Sequence, residues 1–166
     1  MKVKAVIVFG GSGSLTELLE WRLQLERWFQ KCLDKKVPVL AFCWGHQWIA
    51  NLLGGRVGLV PGKGEKLKSF REVNIESCAV YEKTRGKIAV AHRAMVVEAP
   101  SEAKCFVTSD LVENEGFKYD DYPIYTFQGH PEATIDYLHN NSFDIGGTED
   151  FGFGNGLVRR FLDKLS

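Results

Sequence analysis

Two short apolar runs, each feeding straight into a helix-like segment, do most to restrict how this chain can fold. The first, Val3 to Phe9, ends in Gly10-Gly11 and reads as a strand buried on both faces. Ser12-Gly13-Ser14 follows as a turn, and Ser14 and Glu17 have capping-box spacing for a helix start. Leu15, Leu18, Leu19, Leu25, Trp28, Phe29, Cys32 and Leu33 then recur at helical period, and Lys35-Lys36 suit the carboxyl end of that helix. The second run, Val37 to Phe42, meets Cys43-Trp44-Gly45-His46-Gln47. A helix continues to Leu53 and stops at Gly54-Gly55. Strand, helix, strand, helix predicts an α/β fold: a mostly parallel sheet with helices on both faces, in three layers.

The middle of the chain changes character. Arg71 to Val80, Lys87 to His92, Ala94 to Val97 and Lys104 to Thr108 read as short strands separated by turns, a small antiparallel or mixed region. Pro61 to Gly64 reads as a loop, and Tyr122 to Phe127 as a further strand that runs into Gln128-Gly129-His130-Pro131-Glu132. Asn155 to Leu165 has the pattern of a last helix, preceded by a flexible glycine-rich loop at Gly146-Gly147 and Gly152 to Gly156. With 166 residues and no linker or repeat, the whole chain reads as a single domain, 1–166.

Charge and cysteine narrow the function classes. Lys+Arg and Asp+Glu are 21 each, so there is no global electrostatic footprint for nucleic acid or an anionic membrane. No apolar run approaches the roughly 18 residues of a membrane helix. Cys32, Cys43, Cys78 and Cys105 include no CxxC pair, so neither a zinc site nor a thioredoxin-type motif is suggested. The expectation is free thiols in a reducing, cytoplasmic setting, with no metal and no cofactor.

Val39 to Gln47 carries the strongest local signal. A strand that delivers Cys43 directly onto a helix start has the geometry of a nucleophile elbow, with sulfur in place of a serine hydroxyl. The turn lifts the side chain above the sheet edge, the helix amino terminus favours thiolate, and Gly45 keeps the turn uncrowded. His130 and Glu132 also follow an apolar strand, and open α/β sheets build sites at the carboxyl ends of their strands. His130 could therefore take the thiol proton, with Glu132 orienting the imidazole. Gly10 to Ser14 matches neither a dinucleotide fingerprint nor a phosphate-binding loop. Beside an elbow, its backbone N–H groups could line an oxyanion hole. His46 reads as a helix-surface residue, and the Trp21, Trp28 and Phe29 group as core or as a face left uncovered.

PVLAFCWGHQ (Pro38 to Gln47), the following LGGRV (Leu53 to Val57), FQGHPE (Phe127 to Glu132), Phe9-Gly10-Gly11 and Ala91 to Val96 together resemble the class I glutamine amidotransferase family, in the family's order. The resemblance implies a flavodoxin-like fold and a Cys-His-Glu triad: Cys43 as nucleophile, His130 as base and Glu132 as orienting acid. It implies an oxyanion hole from the N–H groups of Gly11 and Trp44, and substrate binding by Gly10, Gln47 and His92. The implied reaction is hydrolysis of a γ-glutamyl amide, glutamine or a γ-glutamyl peptide, through a glutamyl thioester. The implied partners are that small molecule together with a synthetase or a second copy of the chain.

The pattern also departs from the family. Ala41 replaces a glycine before the elbow, Ser12 a proline, and Ala94 an aspartate. The first strand is already the one ending in Gly-Gly, where family members usually begin one or two βα units earlier. The expectation is an exposed strand edge, which favours pairing with another chain. It leaves a second reading open, a shortened and inactive homologue with a regulatory or assembly role.

Overall fold

The computed structural model describes residues 3–13, 15, 20–60, 66–144 and 152–165. The capping-box pair Ser14 and Glu17, Leu18 and Leu19 of the stripe, the Pro61 to Gly64 loop and Gly146-Gly147 lie outside the described residues. In chain order the elements are β1 (Val6–Val8), α1 (Glu20–Asp34), β2 (Val39–Phe42), α2 (Trp44–Leu52), β3 (Arg56–Leu59), β4 (Leu67–Ile75), β5 (Thr84–His92), β6 (Ala94–Glu98), β7 (Ala103–Thr108), β8 (Gly116–Tyr119), β9 (Ile124–Phe127), α3 (Ile135–Asn140) and α4 (Gly152–Asp163).

Seven strands form one sheet in the order β1-β2-β9-β8-β7-β4-β5, and β3 pairs with β6 apart from it. β2 lies between β1 and β9, parallel to both. The pairings from β9 through β8, β7 and β4 to β5 are antiparallel. The antiparallel part thus continues the same sheet and reaches further than the small region expected.

Side chains on β2 alternate between two cores, because successive residues of a strand point to opposite faces. Val39 and Ala41 join Phe29 and Leu33 of α1 and Trp48 and Ile49 of α2. Leu40 and Phe42 join Leu157 and Phe161 of α4, with Phe127 of β9. All four β2 residues are fully buried, which explains why the run carries no polar residue. Helices therefore cover both faces, as the βαβα pattern predicts.

Several sequence expectations need correction. β1 is the end strand of the sheet, so Val6 and Ile7 are only half-buried and Phe9 is 59% exposed, rather than buried on both faces. α4 starts at Gly152, inside the stretch expected to be a glycine-rich loop. Its glycines are there for closeness. A Cβ on Gly154 would lie 2.7 Å from the Pro131 carbonyl oxygen, and Phe153 occupies the space above Gly86 of β5. β4 is displaced toward the amino terminus of its expected span, and β3, β8 and α3 are elements the sequence pattern did not single out.

Candidate active site

The carboxyl ends of β1, β2 and β9 meet at one rim of the sheet, and each delivers a chemically useful residue. Cys43 leaves β2 with φ 47° and ψ −104° and caps α2, while its side chain makes no capping hydrogen bond. A positive φ on a non-glycine residue is strained. Here two hydrogen bonds hold it, Cys43 N–H to the Phe127 carbonyl at 2.8 Å and Gln47 N–H to the Cys43 carbonyl at 3.0 Å. The sulfur is thereby free of its own helix. Gly45 is required by the neighbouring strand, since a Cβ there would sit 2.6 Å from the Val8 carbonyl oxygen.

His130 follows β9, and its backbone N–H donates to the Ala89 carbonyl of β5 at 2.7 Å. Its Nδ1 bonds Glu132 Oε1 at 2.9 Å, and its side chain lies close enough to that of Cys43 to feel its charge. Burial works against the imidazolium, but the Glu132 hydrogen bond and the charges of Cys43 and Glu132 outweigh it, and His130 is raised to about 9. Gly10, at the end of β1, closes the group. A Cβ on it would lie 2.8 Å from His130 Cε1 and 3.3 Å from Cys43 Cβ.

These residues open on a cavity of about 420 Å³ lined by Phe9, Gly10, Gly11, Ser12, Cys43, Lys66, Ala91, His130, Glu132, Ala133, Thr134 and Tyr137. Gly11 faces Trp44, its built Cβ being 4.0 Å from the indole Cγ. Trp44 opens α2, and first-turn N–H groups have no partner within their own helix. Gly11 and the Trp44 side chain are thus neighbours, and Trp44 follows Cys43 directly in the chain.

Two expected substrate contacts are placed elsewhere. Gln47 Nε2 donates to the Ala94 carbonyl at 2.7 Å and to Gln128 Oε1 at 3.2 Å. His92 Nδ1 bonds the Ala94 carbonyl at 2.9 Å. Neither is among the residues that line the cavity: Gln47 ties α2 to the start of β6, and His92 ties the end of β5 to it. His46 is not on the helix surface. It is fully buried, stacked on Phe117, and bonded through Nδ1 to Thr126 Oγ1 at 2.9 Å. Desolvation, assisted by the charge of His92, lowers His46 to about 3. Desolvation and Arg71 lower His92 to about 4. Both imidazoles are therefore neutral at physiological pH.

The sequence reading missed the far wall of the cavity. Ala91 of β5 brings its carbonyl to 4.0 Å from Cys43 Sγ, because the curled β4–β5 hairpin returns over the site. Tyr137, whose ring lies 5.5 Å from that of His130, was missed as well. A helix start at Thr134, which accepts from the Tyr137 N–H, was the readable signal for it. Lys66 carried no pattern at all.

Comparison with known proteins shows the family and the fold. The pattern of the family described as Glutamine amidotransferase class-I matches residues 1–143. The chain is 33% identical over 137 residues to a glutamine-hydrolysing GMP synthase subunit of Pyrococcus furiosus, covering 80% of this chain and 68% of that protein. It is 33% identical over 102 residues to the protein of the same description from Methanopyrus kandleri, 60% of this chain and 54% of that one. It is 30% identical over 151 residues to "Gamma-glutamyl peptidase 4" of Arabidopsis thaliana, 87% of this chain and 58% of that one. The chain thus spans little more than half to two thirds of the length of these relatives. Among solved structures, a glutamine amidotransferase from Thermotoga maritima superposes with a TM-score of 0.75 at 22% identity, over 96% of this chain and 77% of that one. One from Methylobacillus flagellatus gives 0.78 at 16% identity, over 98% and 77%. At these identities the structures speak to the fold.

Proposed function

This chain belongs to the class I glutamine amidotransferase family, and from that premise we propose that it hydrolyses a γ-glutamyl amide through Cys43, His130 and Glu132. One observation carries the reading: a strained, helix-capping cysteine and a carboxylate-bound histidine share one cavity.

His130 takes the proton of the Cys43 thiol as the sulfur attacks the γ-carbonyl carbon, and the carbonyl electrons move onto oxygen. The N–H groups of Gly11 and Trp44 stabilise that oxyanion where charge develops. His130, raised to about 9, holds its proton at neutral pH and gives it to the leaving nitrogen as the C–N bond breaks. Ammonia or an amine departs and leaves a glutamyl thioester. His130 then takes a proton from water, whose oxygen attacks the thioester; the C–S bond breaks, His130 returns the proton to the departing sulfur, and glutamate and the thiol are released. Glu132 keeps Nδ1 of His130 occupied throughout, which leaves the other ring nitrogen for the proton transfers.

Free glutamine and γ-glutamyl peptides are the substrates to test, given one relative described as glutamine-hydrolysing and another as a γ-glutamyl peptidase. A synthetase partner is the corresponding proposal for the first of these. All four cysteines are free thiols, which supports the proposed reducing, cytoplasmic setting, and we read residues 1–166 as one domain. The test is glutamate release from glutamine and from γ-glutamylglycine. Release by the native chain and its loss in Cys43→Ala supports the proposal. A folded chain that releases no glutamate from either favours the regulatory reading.

A further inference from the structure

The cavity at Cys43 holds a cation that the reaction steps leave unused. Lys66 lines it together with Cys43, His130 and Glu132, and no other lysine or arginine among the described residues does. It makes no ion pair with a described residue. The triad does not need it, since Glu132 Oε1 already bonds His130 Nδ1 at 2.9 Å. Lys66 immediately precedes β4, whose Leu67 pairs with His92 of β5 and whose Lys68 pairs with Ala91. The Ala91 carbonyl lies 4.0 Å from Cys43 Sγ. The hairpin that walls the site therefore also carries Lys66 to it. β4 lies toward the other end of the sheet from β1, with only β5 beyond it.

The rest of the lining offers an anion little. Gln47 and His92 are not part of it, and His92 is neutral. Ser12, Thr134 and Tyr137 bring hydroxyl groups, which hydrogen-bond without charge. Glu132 is the carboxylate of the lining, and it repels another. A carboxylate that leaves water for such a cavity loses hydration that a counter-charge has to replace. Every γ-glutamyl amide brings a carboxylate on its α-carbon, and a γ-glutamyl amino acid brings a second on its leaving amine. Four single bonds separate the γ-carbonyl carbon from the α-carboxylate carbon, a span of about 5 Å. A cavity of about 420 Å³ accepts a molecule of that size.

We propose that Lys66 binds a carboxylate of the substrate through a charge-assisted hydrogen bond, and so selects γ-glutamyl amides over amides that lack the carboxylate. The proposal rests on the reading of Cys43, His130 and Glu132 as the group that cleaves the amide. Lys66 adds no step to that reaction. It acts in binding, equally before and during bond breakage, so its contribution lies in KM and not in kcat. The α-carboxylate is common to glutamine and γ-glutamyl peptides, whereas the carboxylate of a leaving amino acid belongs to the peptides alone. The choice of substrates separates the two sources.

The test compares the whole chain with Lys66→Gln and Lys66→Arg on glutamine, γ-glutamylglycine and 4-aminobutanamide, which keeps the amide and the amine and lacks the α-carboxylate. Release of ammonia or glycine is followed, and circular dichroism checks that the variants are folded. The proposal expects Lys66→Gln to raise KM about tenfold for γ-glutamylglycine with kcat unchanged, because a charge-assisted hydrogen bond is lost. Lys66→Arg should keep KM low, and 4-aminobutanamide should respond to neither variant. An equal rise for glutamine assigns the contact to the α-carboxylate; a rise for γ-glutamylglycine alone assigns it to the leaving glycine. An unchanged KM for both, or an equal rise for 4-aminobutanamide, would overturn the proposal. If the native chain cleaves none of the three, the reaction reading fails, and Lys66 is read by binding alone. γ-Glutamylglycine should then protect Cys43 from alkylation by iodoacetamide, with half-protection at about tenfold higher concentration in Lys66→Gln. Absent protection, or equal protection in the variant, would overturn the proposal on that route.

Discussion

Cys43 occupies a backbone conformation that only its surroundings justify, and the glycines around it are the residues that make those surroundings possible. At Gly45 the obstacle to a side chain is backbone, the Val8 carbonyl oxygen at 2.6 Å, which cannot swing aside. Gly45→Ala is expected to lower stability by about 1–3 kcal/mol, read from the urea midpoint. At Gly10 the obstacle is the imidazole of His130 at 2.8 Å. Gly10→Ala should therefore leave the fold intact and displace His130 from Cys43, lowering kcat about 100-fold. Retained activity in Gly10→Ala would show that the imidazole position is not critical. His130 itself sets a pH limit. Its proton is held through neutral pH and lost near 9, so proton delivery to the leaving nitrogen should fail above that value. The rate of glutamate release should decline through pH 9, with an intact far-UV spectrum.

At the scale of elements, the site is assembled by strands of opposite legibility. β2 and β9 are fully buried four-residue runs, and a sequence that is apolar throughout in β2 and broken only by Thr126 in β9 announces them, together with the candidate catalytic residues at their ends. β8 is buried except at Lys118 but opens with Gly116, where a Cβ would lie 2.3 Å from the Thr126 carbonyl oxygen. A glycine demanded by close approach looks, in sequence, like the end of an element. For the same reason the glycines of α4 read as a loop. His46 was unreadable because its partner is remote: Thr126 Oγ1 bonds its Nδ1 at 2.9 Å and accepts from the Phe117 N–H at 2.9 Å. Thr126→Val removes that junction of α2, β8 and β9 and leaves a buried N–H unpaired. It should cost about 1–3 kcal/mol by chemical denaturation. The ion pair between Arg71 of β4 and Glu115 beside β8 is buried, at 2.5 Å. Arg71→Met should destabilise by about 3–5 kcal/mol, because it strands the Glu115 charge. Arg71→Met with Glu115→Leu should cost less than the single change.

Across the whole molecule, the antiparallel hairpin that looked peripheral in sequence becomes a wall of the site. Periodicity reports which residues are buried within an element; it does not report that β5 curls back to place Ala89 against His130 and Ala91 against Cys43. The two cores and the helix layers were legible from pattern, and the three reactive side chains from motif. Cavity residues such as Lys66 and Tyr137, and the bonds of Gln47 and His92 to the Ala94 carbonyl, carry no such signal. The titration of buried histidines follows from the same packing. His46 and His92, lowered to about 3 and about 4, are neutral in the fold while the unfolded chain takes up protons below about 6.5. Their contribution is complete above pH 6.5 and lost as pH falls toward 4. His130, raised to about 9, contributes fully below 6.5 and loses that contribution as pH rises through 9. The urea midpoint should peak near neutral pH, and His46→Asn should flatten its acid limb. An unchanged acid limb would contradict the buried, neutral assignment.

The most direct measurement is covalent labelling with a γ-electrophilic glutamine analogue, read by peptide mass spectrometry on the folded chain. The account predicts a single adduct on Cys43, formed far more slowly in His130→Ala, with Cys32, Cys78 and Cys105 unmodified. A folded chain that forms no adduct, or one that labels Cys105 as readily as Cys43, would contradict it.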